Sequence, residues 1–365
     1  MTKVLYVHGG LLGRGGTEAV MLNYFRNMDR SRVKVDFLLH GFGEGAYDQE
    51  ILDAGSQIFH VVPKGENYRE NAQQIRKILM ENRYDVVHAH MDCGNAQILK
   101  IAKACGIPIR VSHSHNTGVQ TGNPLKKVYN NLEKRKIPRY ATHLFACSDL
   151  AGKWLYGKNY TVIPNAIDVK KFSFNADLRK KMRQVLHLED SHKVIGHIGR
   201  FSQQKNHGRL IRIFYELLKT QPNARLLLLG EGELQDEIRS QCAQLQISDK
   251  VIFTGAVSNT PDYMQAMDCF TLPSLFEGLP VVMVEAQAAG LPILASDVIT
   301  TKSKLTSLVH FLSLQETDAV WAKQLKDLAD AGRQDTASQL ATQGFDISEN
   351  AEKMQIFYEK GGNFQ

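Results

Sequence analysis

Two carboxylates, Glu277 and Glu285, stand eight positions apart in SLFEGLPVVMVEAQAAG, residues 274–290. Between them Gly278 lets the backbone turn, and Pro280 suits the start of a helix, where no N–H is required. The residues from Val281 to Ala289 are good helix formers, and Gly290 with Pro292 ends the helix. The pattern predicts free N–H groups near Val281 and Val282 at the positive end of the helix dipole, a ready anion site. Glu285 falls one turn further along the face of Val281, roughly 6 Å along the axis. That offset suits a ligand with phosphate at the helix tip and sugar hydroxyls beyond it. A carboxylate beside phosphate is repelled by about 4 kcal/mol at about 4 Å and an effective dielectric of about 20. Glu277 therefore fits such a ligand only by accepting hydrogen bonds from sugar hydroxyls.

Cations able to balance phosphate lie upstream. Gly199-Arg200-Phe201-Ser202 and Lys205-Asn206 follow an apolar run; Arg200 offers a planar fork and Lys205 a point charge. The chain has no D-x-D triplet, the usual handle for a divalent metal on such a ligand. The expectation is that no metal or cofactor is used, and that Arg200, Lys205 and the helix dipole stabilise the leaving charge. Near the N-terminus, GGLLGRGGTE follows an apolar run and precedes a helical pattern from about Thr17. Gly13, Gly15 and Gly16 permit close approach of backbone to phosphate. The same loop is a poor match to the G-x-G-x-x-G fingerprint of a dinucleotide-binding oxidoreductase. Two histidine pairs, His88-Ala89-His90 and His113-Ser114-His115, each put both imidazoles on one side of a strand. They suit satisfied strand-end histidines or the metal ligands of a metal-dependent hydrolase, although no matching downstream ligand set accompanies them.

Glu277 and Glu285, with Pro273-Ser274 before them, EAQAAGLP after, and a strand ending at Ser296-Asp297, resemble the Glu-x7-Glu motif of the family 4 retaining glycosyltransferases. The resemblance covers nearly the whole chain. GGTEAVMLNYFRNMDRS, SHSHN and FEGLPVVMVEAQAAG are most similar to bacterial exopolysaccharide and capsule enzymes of that family, and Gly199–Lys205 resembles its G-R-x-x-x-x-K motif. It implies the GT-B fold: two Rossmann-like, doubly wound α/β domains facing a central cleft. It also implies donor contacts from Gly15, Gly16, Arg200, Lys205, Glu277, Gly278, Leu279, Val281 and Glu285, with Glu277 on the sugar and Glu285 on the ribose. His115 is placed beside the reacting sugar, in a register shared with His113, and with Glu277, Arg200 and Lys205 it makes up the catalytic set. The implied activity is retaining, metal-independent transfer of a sugar from a nucleotide-sugar donor, a UDP-sugar, to a lipid-linked oligosaccharide. Sugar-nucleotide epimerases share the fold and stay open as an alternative. One departure is the segment after Asp297, VITTKSKLTSLVHFLSL, where family members carry a glycine-containing loop.

These groups must be positioned by the rest of the chain. A length of 365 residues exceeds what one core fills, so two domains are expected. Strand-like runs alternate with helical patterns twice over, which predicts two parallel sheets covered by helices. The boundaries expected are 1–165 and 166–345, with Pro164–Ser173 as a hinge and an amphipathic helix in 346–365 returning to the first domain. The five scattered cysteines lack metal or disulfide spacing. No run of ~18 apolar residues predicts a membrane span, and the N-terminus enters a strand with no signal-peptide pattern. A cytoplasmic protein is expected. Its +6 charge suits phosphorylated ligands or an anionic membrane surface; RNA-binding aromatic motifs are not apparent, so nucleic acid is not an expected partner. The stretch Asn123–Arg139 carries six cations among Leu125, Val128, Tyr129 and Leu132. It predicts a basic amphipathic helix able to rest on the inner-membrane surface, or a plainly solvated face.

Overall fold

The computed structural model describes residues 1–118, 123–362 and 364, so residues 363 and 365 of the expected C-terminal segment lie outside it. The chain forms two compact units, Met1–Ala166 with Ile347–Gln365, and Ile167–Asp346.

The first unit holds a seven-stranded parallel sheet: β1 (Thr2–His8), β2 (Val33–His40), β3 (Ile58–Val61), β4 (Val86–His90), β5 (Ile109–Ser114), β6 (His143–Ala146) and β7 (Thr161–Val162), in the order β3-β2-β1-β4-β5-β6-β7. β1 lies at the centre, with Val4 opposite Val35 on one side and Val86 on the other. Val4 to Val7 are fully buried, as the near-continuous apolar run of a strand covered on both faces requires. The helix Ile347–Lys360 belongs to this unit, packing on the helix Gly16–Asn27 and on β1 and β2. Its apolar side buries Met354, Phe357 and Tyr358, and its polar side receives Arg32 at 3.0 Å from Glu352 and 2.7 Å from Glu359.

The second unit holds a six-stranded parallel sheet: β8 (Lys193–Ile198), β9 (Ala224–Leu229), β10 (Val251–Phe253), β11 (Cys269–Leu272), β12 (Ile293–Ser296) and β13 (Val309–Leu312), in the order β10-β9-β8-β11-β12-β13. Leu210, Phe214 and Leu217 from the helix His207–Leu218 and Trp321 from the helix Asp318–Ala331 close one face of its core.

The boundary between the units falls within the stretch Pro164–Ser173, where Ile167 bridges to Asp346 and Val169–Phe172 forms a helical turn, capped by Asp168, with both end residues buried. Two details depart from the sequence expectations. The divergent segment after Asp297 supplies an edge strand, β13, whose short apolar run VHFL was hidden among polar residues. Pro280 sits at the N-cap, just outside the helix Val281–Ala288; its fixed φ serves equally well there. Gly290 ends that helix at φ +70°, and a Cβ there would lie 2.3 Å from the Gln334 carbonyl oxygen, so no other residue fits.

Candidate active site

In both sheets the strand order reverses beside the first strand, and ligands of doubly wound sheets bind outside the strand ends at such a point. In the second unit the reversal lies between β8 and β11. The loop after β8 carries Arg200 and Lys205; the loop after β11 carries Glu277, Gly278 and Leu279 and leads into the helix at Val281. The sequence places these residues 70 or more positions apart, and the topology puts their strands side by side.

Lys205 and Glu277 form a direct ion pair, Nζ to Oε1 2.6 Å, with side chains only 15% and 8% exposed. The Gln204 amide donates to the other Glu277 oxygen at 3.2 Å and to the Phe276 carbonyl at 3.0 Å, while the Leu275 N–H donates to the Gln204 carbonyl at 2.8 Å. Both carboxylate oxygens are therefore engaged, which removes the charge problem a bare Glu277 would pose beside phosphate. Gly199 makes the pair possible, since a Cβ there would stand 2.9 Å from Lys205 Cε. Arg200 behaves differently. It is exposed, pairs with the exposed Glu233 at 3.1 Å, and is free to exchange that weak contact for a ligand anion. Its loop is fixed from below: Phe201 N–H bonds to the Glu231 carbonyl at 3.0 Å, and Gly230 and Gly232 let the loop after β9 touch it backbone to backbone. Phe201 also stacks on buried His207, ring centroids 4.1 Å apart.

Among the described residues the N–H groups of Val281 and Val282 have no acceptor, as the N-terminus of an uncapped helix leaves them. Glu285, one turn on, is half-buried and has no hydrogen-bond partner among the described residues; burial pushes its carboxyl up to about 7. Gln204 and Glu233, which hold the two carboxyl–cation contacts, were not singled out from sequence; the spacing of Gln204 beside Lys205 was their only trace.

In the first unit the reversal lies between β1 and β4. The glycine loop after β1 leads into the helix Gly16–Asn27 with Gly15 at its N-cap, and the Glu18 carboxylate folds back over it. A Cβ on Gly15 would meet Glu18 Oε2 at 2.6 Å, and the other Glu18 oxygen stands 3.9 Å from His8 Nε2. Gly16 is open, with nothing within 4 Å of where a Cβ would lie.

The two histidine pairs converge at the ends of β4 and β5. His88 stacks on His90 with centroids 4.2 Å apart, and His113 on His115 at 4.3 Å. His88 Nε2 meets His113 Nδ1 at 3.2 Å, and His90 Nδ1 meets His115 Nε2 at 2.8 Å. His88, His90 and His113 are buried, and His88 Nδ1 bonds to the Tyr358 hydroxyl at 2.5 Å, so the returning helix supports the cluster from behind. His115, past the strand end, is half-buried; its backbone N–H donates to Asp92 Oδ1 at 2.9 Å. Of the two candidates in SHSHN, His115 is the one that reaches the surface. Nitrogens of His88, His90 and His113 lie within 4.8 Å of one another, close enough for an ion. His88 Nε2 and His113 Nδ1 are already engaged with each other, and no carboxylate joins the three in that group.

Two parallel-sheet Rossmann-like units define a protein of the GT-B type. Residues 179–342 match the family described as Glycosyl transferases group 1, and residues 14–171 match Glycosyltransferase Family 4. The Bacillus subtilis (strain 168) protein EpsF, named as a glycosyltransferase, is 36% identical over 95% of this chain and 94% of its own length. An Escherichia coli UDP-Gal:alpha-D-GlcNAc-diphosphoundecaprenol alpha-1,3-galactosyltransferase is 27% identical over 61% of this chain and 60% of its own. In three dimensions, Anabaena Alr3699/HepE in complex with UDP superimposes with a TM-score of 0.78 at 19% identity, over 98% of this chain and all of that one. The chain belongs to the family 4 glycosyltransferases, of the exopolysaccharide type. It is a glycosyltransferase, which sets aside the epimerase, oxidoreductase and hydrolase alternatives.

Proposed function

We propose that this enzyme transfers a sugar, with retention and without a metal, from a UDP-sugar to a lipid-linked oligosaccharide in exopolysaccharide synthesis. The observation that carries the donor half is the buried Lys205–Glu277 pair beside the free N–H groups of Val281 and Val282. An arriving diphosphate draws on Lys205 and Arg200 and on those amides, which face the charge that develops as the nucleoside diphosphate leaves. Glu277, already neutralised by Lys205, accepts from sugar hydroxyls, and Glu285 from the ribose. Gly15 and Gly16 meet the donor phosphates once the Glu18 carboxylate withdraws. His115 and the first unit serve the acceptor side. Retention is carried over from the family resemblance and is part of this proposal. The sequence offers no obvious enzymatic nucleophile, so a same-face attack guided by the leaving phosphate is the route proposed.

The uridine base and the lipid-linked acceptor are taken from the ligands named for HepE and for the E. coli relative. Work at the cytoplasmic membrane face is part of the same proposal; no helix among the described residues is long and apolar enough to cross a membrane. Transfer from a radiolabelled UDP-sugar to an undecaprenyl-diphosphate sugar, run in excess EDTA, tests this reading. Turnover is expected to persist, and Lys205→Ala to lower it ~10²–10³-fold, the size for one lost electrostatic donor. Activity abolished by EDTA and restored by Mg²⁺ or Mn²⁺ would show a metal-dependent enzyme instead.

A further inference from the structure

Four histidines of the first unit, His88, His90, His113 and His115, form a closed square. Hydrogen bonds between His88 and His113 and between His90 and His115 make two sides, and the stacks of His88 on His90 and of His113 on His115 make the other two. Burial pushes the first three far below the ordinary imidazole range and His115 down to about 4, so each ring holds a single proton near neutral pH. Which nitrogen holds it follows from the bond the other nitrogen makes.

His90 settles one side of the square. Its Nε2 is buried and has no partner among the described residues. An N–H in that position would be an orphan donor, the rarest and costliest kind of buried polar group, whereas a bare lone pair is tolerated better. The His90 proton therefore sits on Nδ1 and is donated to His115 Nε2, 2.8 Å away. His115, accepting at Nε2, must carry its own proton on Nδ1, and that nitrogen has no partner among the described residues. We infer that His90 is a positioning residue that locks His115 as the Nδ1–H tautomer, so that this half-buried imidazole offers the substrate a hydrogen-bond donor and not a base. Asp92 holds the backbone of His115 and Tyr6 packs edge-on against His90 at 5.2 Å, so both rings of the pair are fixed in place. His115 then holds a hydroxyl or a developing negative charge, and the acceptor's proton must leave by another route. This consequence rests on the proposed role of His115; the tautomer itself does not.

Long-range ¹H–¹⁵N correlation of the imidazoles in the intact, substrate-free protein tests the lock, with His115 assigned from the spectrum of His115→Asn. The wild type should show His115 protonated at Nδ1. In His90→Phe, which keeps an aromatic ring and removes the donor, His115 should move toward the Nε2–H form. A wild-type His115 protonated at Nε2 overturns the inference whether or not the variant folds, and so does uptake of one equivalent of Zn²⁺ by His88, His90 and His113. In the transfer assay, His115→Asn places an amide nitrogen where Nδ1 stood and should stay within about tenfold of wild type, while His115→Ala should fall ~10²-fold or more. If the tautomer is as stated but His115→Ala transfers sugar at the wild-type rate, the acceptor-side role of His115 fails and the lock by His90 stands.

Discussion

Glu277 and Glu285 differ in what they already hold, and that difference fixes how each should respond to removal. Glu277 is tied to Lys205 and Gln204, so Glu277→Ala releases a nearly buried lysine beside the phosphate position. The affinity for UDP alone should be kept or rise, while transfer falls because the sugar loses its acceptor group. Glu285 has no such partner, and Glu285→Ala should weaken UDP itself. Calorimetry with UDP on both variants decides this; equal losses would remove the division between sugar and ribose. Glu285 also leaves a mark on stability. Its carboxyl rises from 4.5 in the open chain to about 7 in the fold. Between those values the folded state binds the extra proton, so its stability declines as pH rises from about 4.5 to about 7 and levels off above. Glu285→Gln cannot ionise and should match wild type at pH 5 but exceed it at pH 8, on the order of 1–3 kcal/mol. Urea unfolding at the two pH values reads the difference, and a gain equal at both would mean that Glu285 is not held protonated by the fold.

At the scale of elements, the helix Pro124–Tyr140 bears on where the enzyme works. Only Glu133 and Ile137 of it are buried; Leu125, Val128, Tyr129 and Leu132, at helical spacing, are all exposed, Leu125 by 79%. Its cations are not equivalent. Lys134 lies over the Trp154 ring and bonds to its carbonyl, and Lys136 pairs with Glu133 at 2.7 Å, so both are committed to the fold. Lys126, Lys127 and Arg135 are exposed. Each cation near an anionic surface contributes ~1 kcal/mol, so replacing these three by Gln should release the protein from anionic vesicles at low salt while UDP binding is unchanged. Sedimentation with vesicles is the measurement; wild-type protein left in the supernatant at low salt would make this a solvated face. The same element shows what sequence could convey. Its span was visible from the alternation of charged and apolar residues after Asn123, as were the helices His207–Leu218 and Ile347–Lys360 from their apolar periodicity. The residues proposed for the donor side stood out because a parallel sheet delivers its chemistry from strand ends, and Gly199–Lys205 and Glu277–Glu285 each follow an apolar run. The strand β13 and the helix Ala176–Val185 carry weaker flags, half of the latter's ten residues being charged. The pairing of Lys205 with Glu277, and of His90 with His115, depends on which strands lie side by side, which local pattern does not encode.

Across the whole molecule, each unit has its own core and each holds one of the two tryptophans, Trp154 in the first and Trp321 in the second. Trp321 is fully buried, with its indole N–H on the Ser313 carbonyl at 3.0 Å, whereas Trp154 is half-buried at the edge of its core. The first unit is discontinuous in sequence: without the helix Ile347–Lys360 it loses Met354, Phe357 and Tyr358 from its interior, and Arg32 loses both glutamate partners. Three large apolar side chains removed from a core cost on the order of 2–5 kcal/mol each, comparable in sum to the whole stability of a domain. The second unit, Ile167–Asp346, keeps every one of its strands and, apart from Gly15 and Gly16, the groups proposed to hold the donor. A chain ending at Asp346 should therefore lose the native fluorescence of Trp154, followed in a Trp321→Phe background, and retain that of Trp321, followed in a Trp154→Phe background. UDP should still stabilise what remains, by about 2.7 kcal/mol at a hundred times its dissociation constant, read as a later Trp321 transition in urea. GDP and ADP at the same concentration should move that transition less. Loss of the UDP effect in the shortened chain while Trp321 still unfolds cooperatively would mean that Arg200, Lys205, Glu277 and Glu285 do not hold UDP by themselves and that the first unit, with Gly15 and Gly16, is required for donor binding.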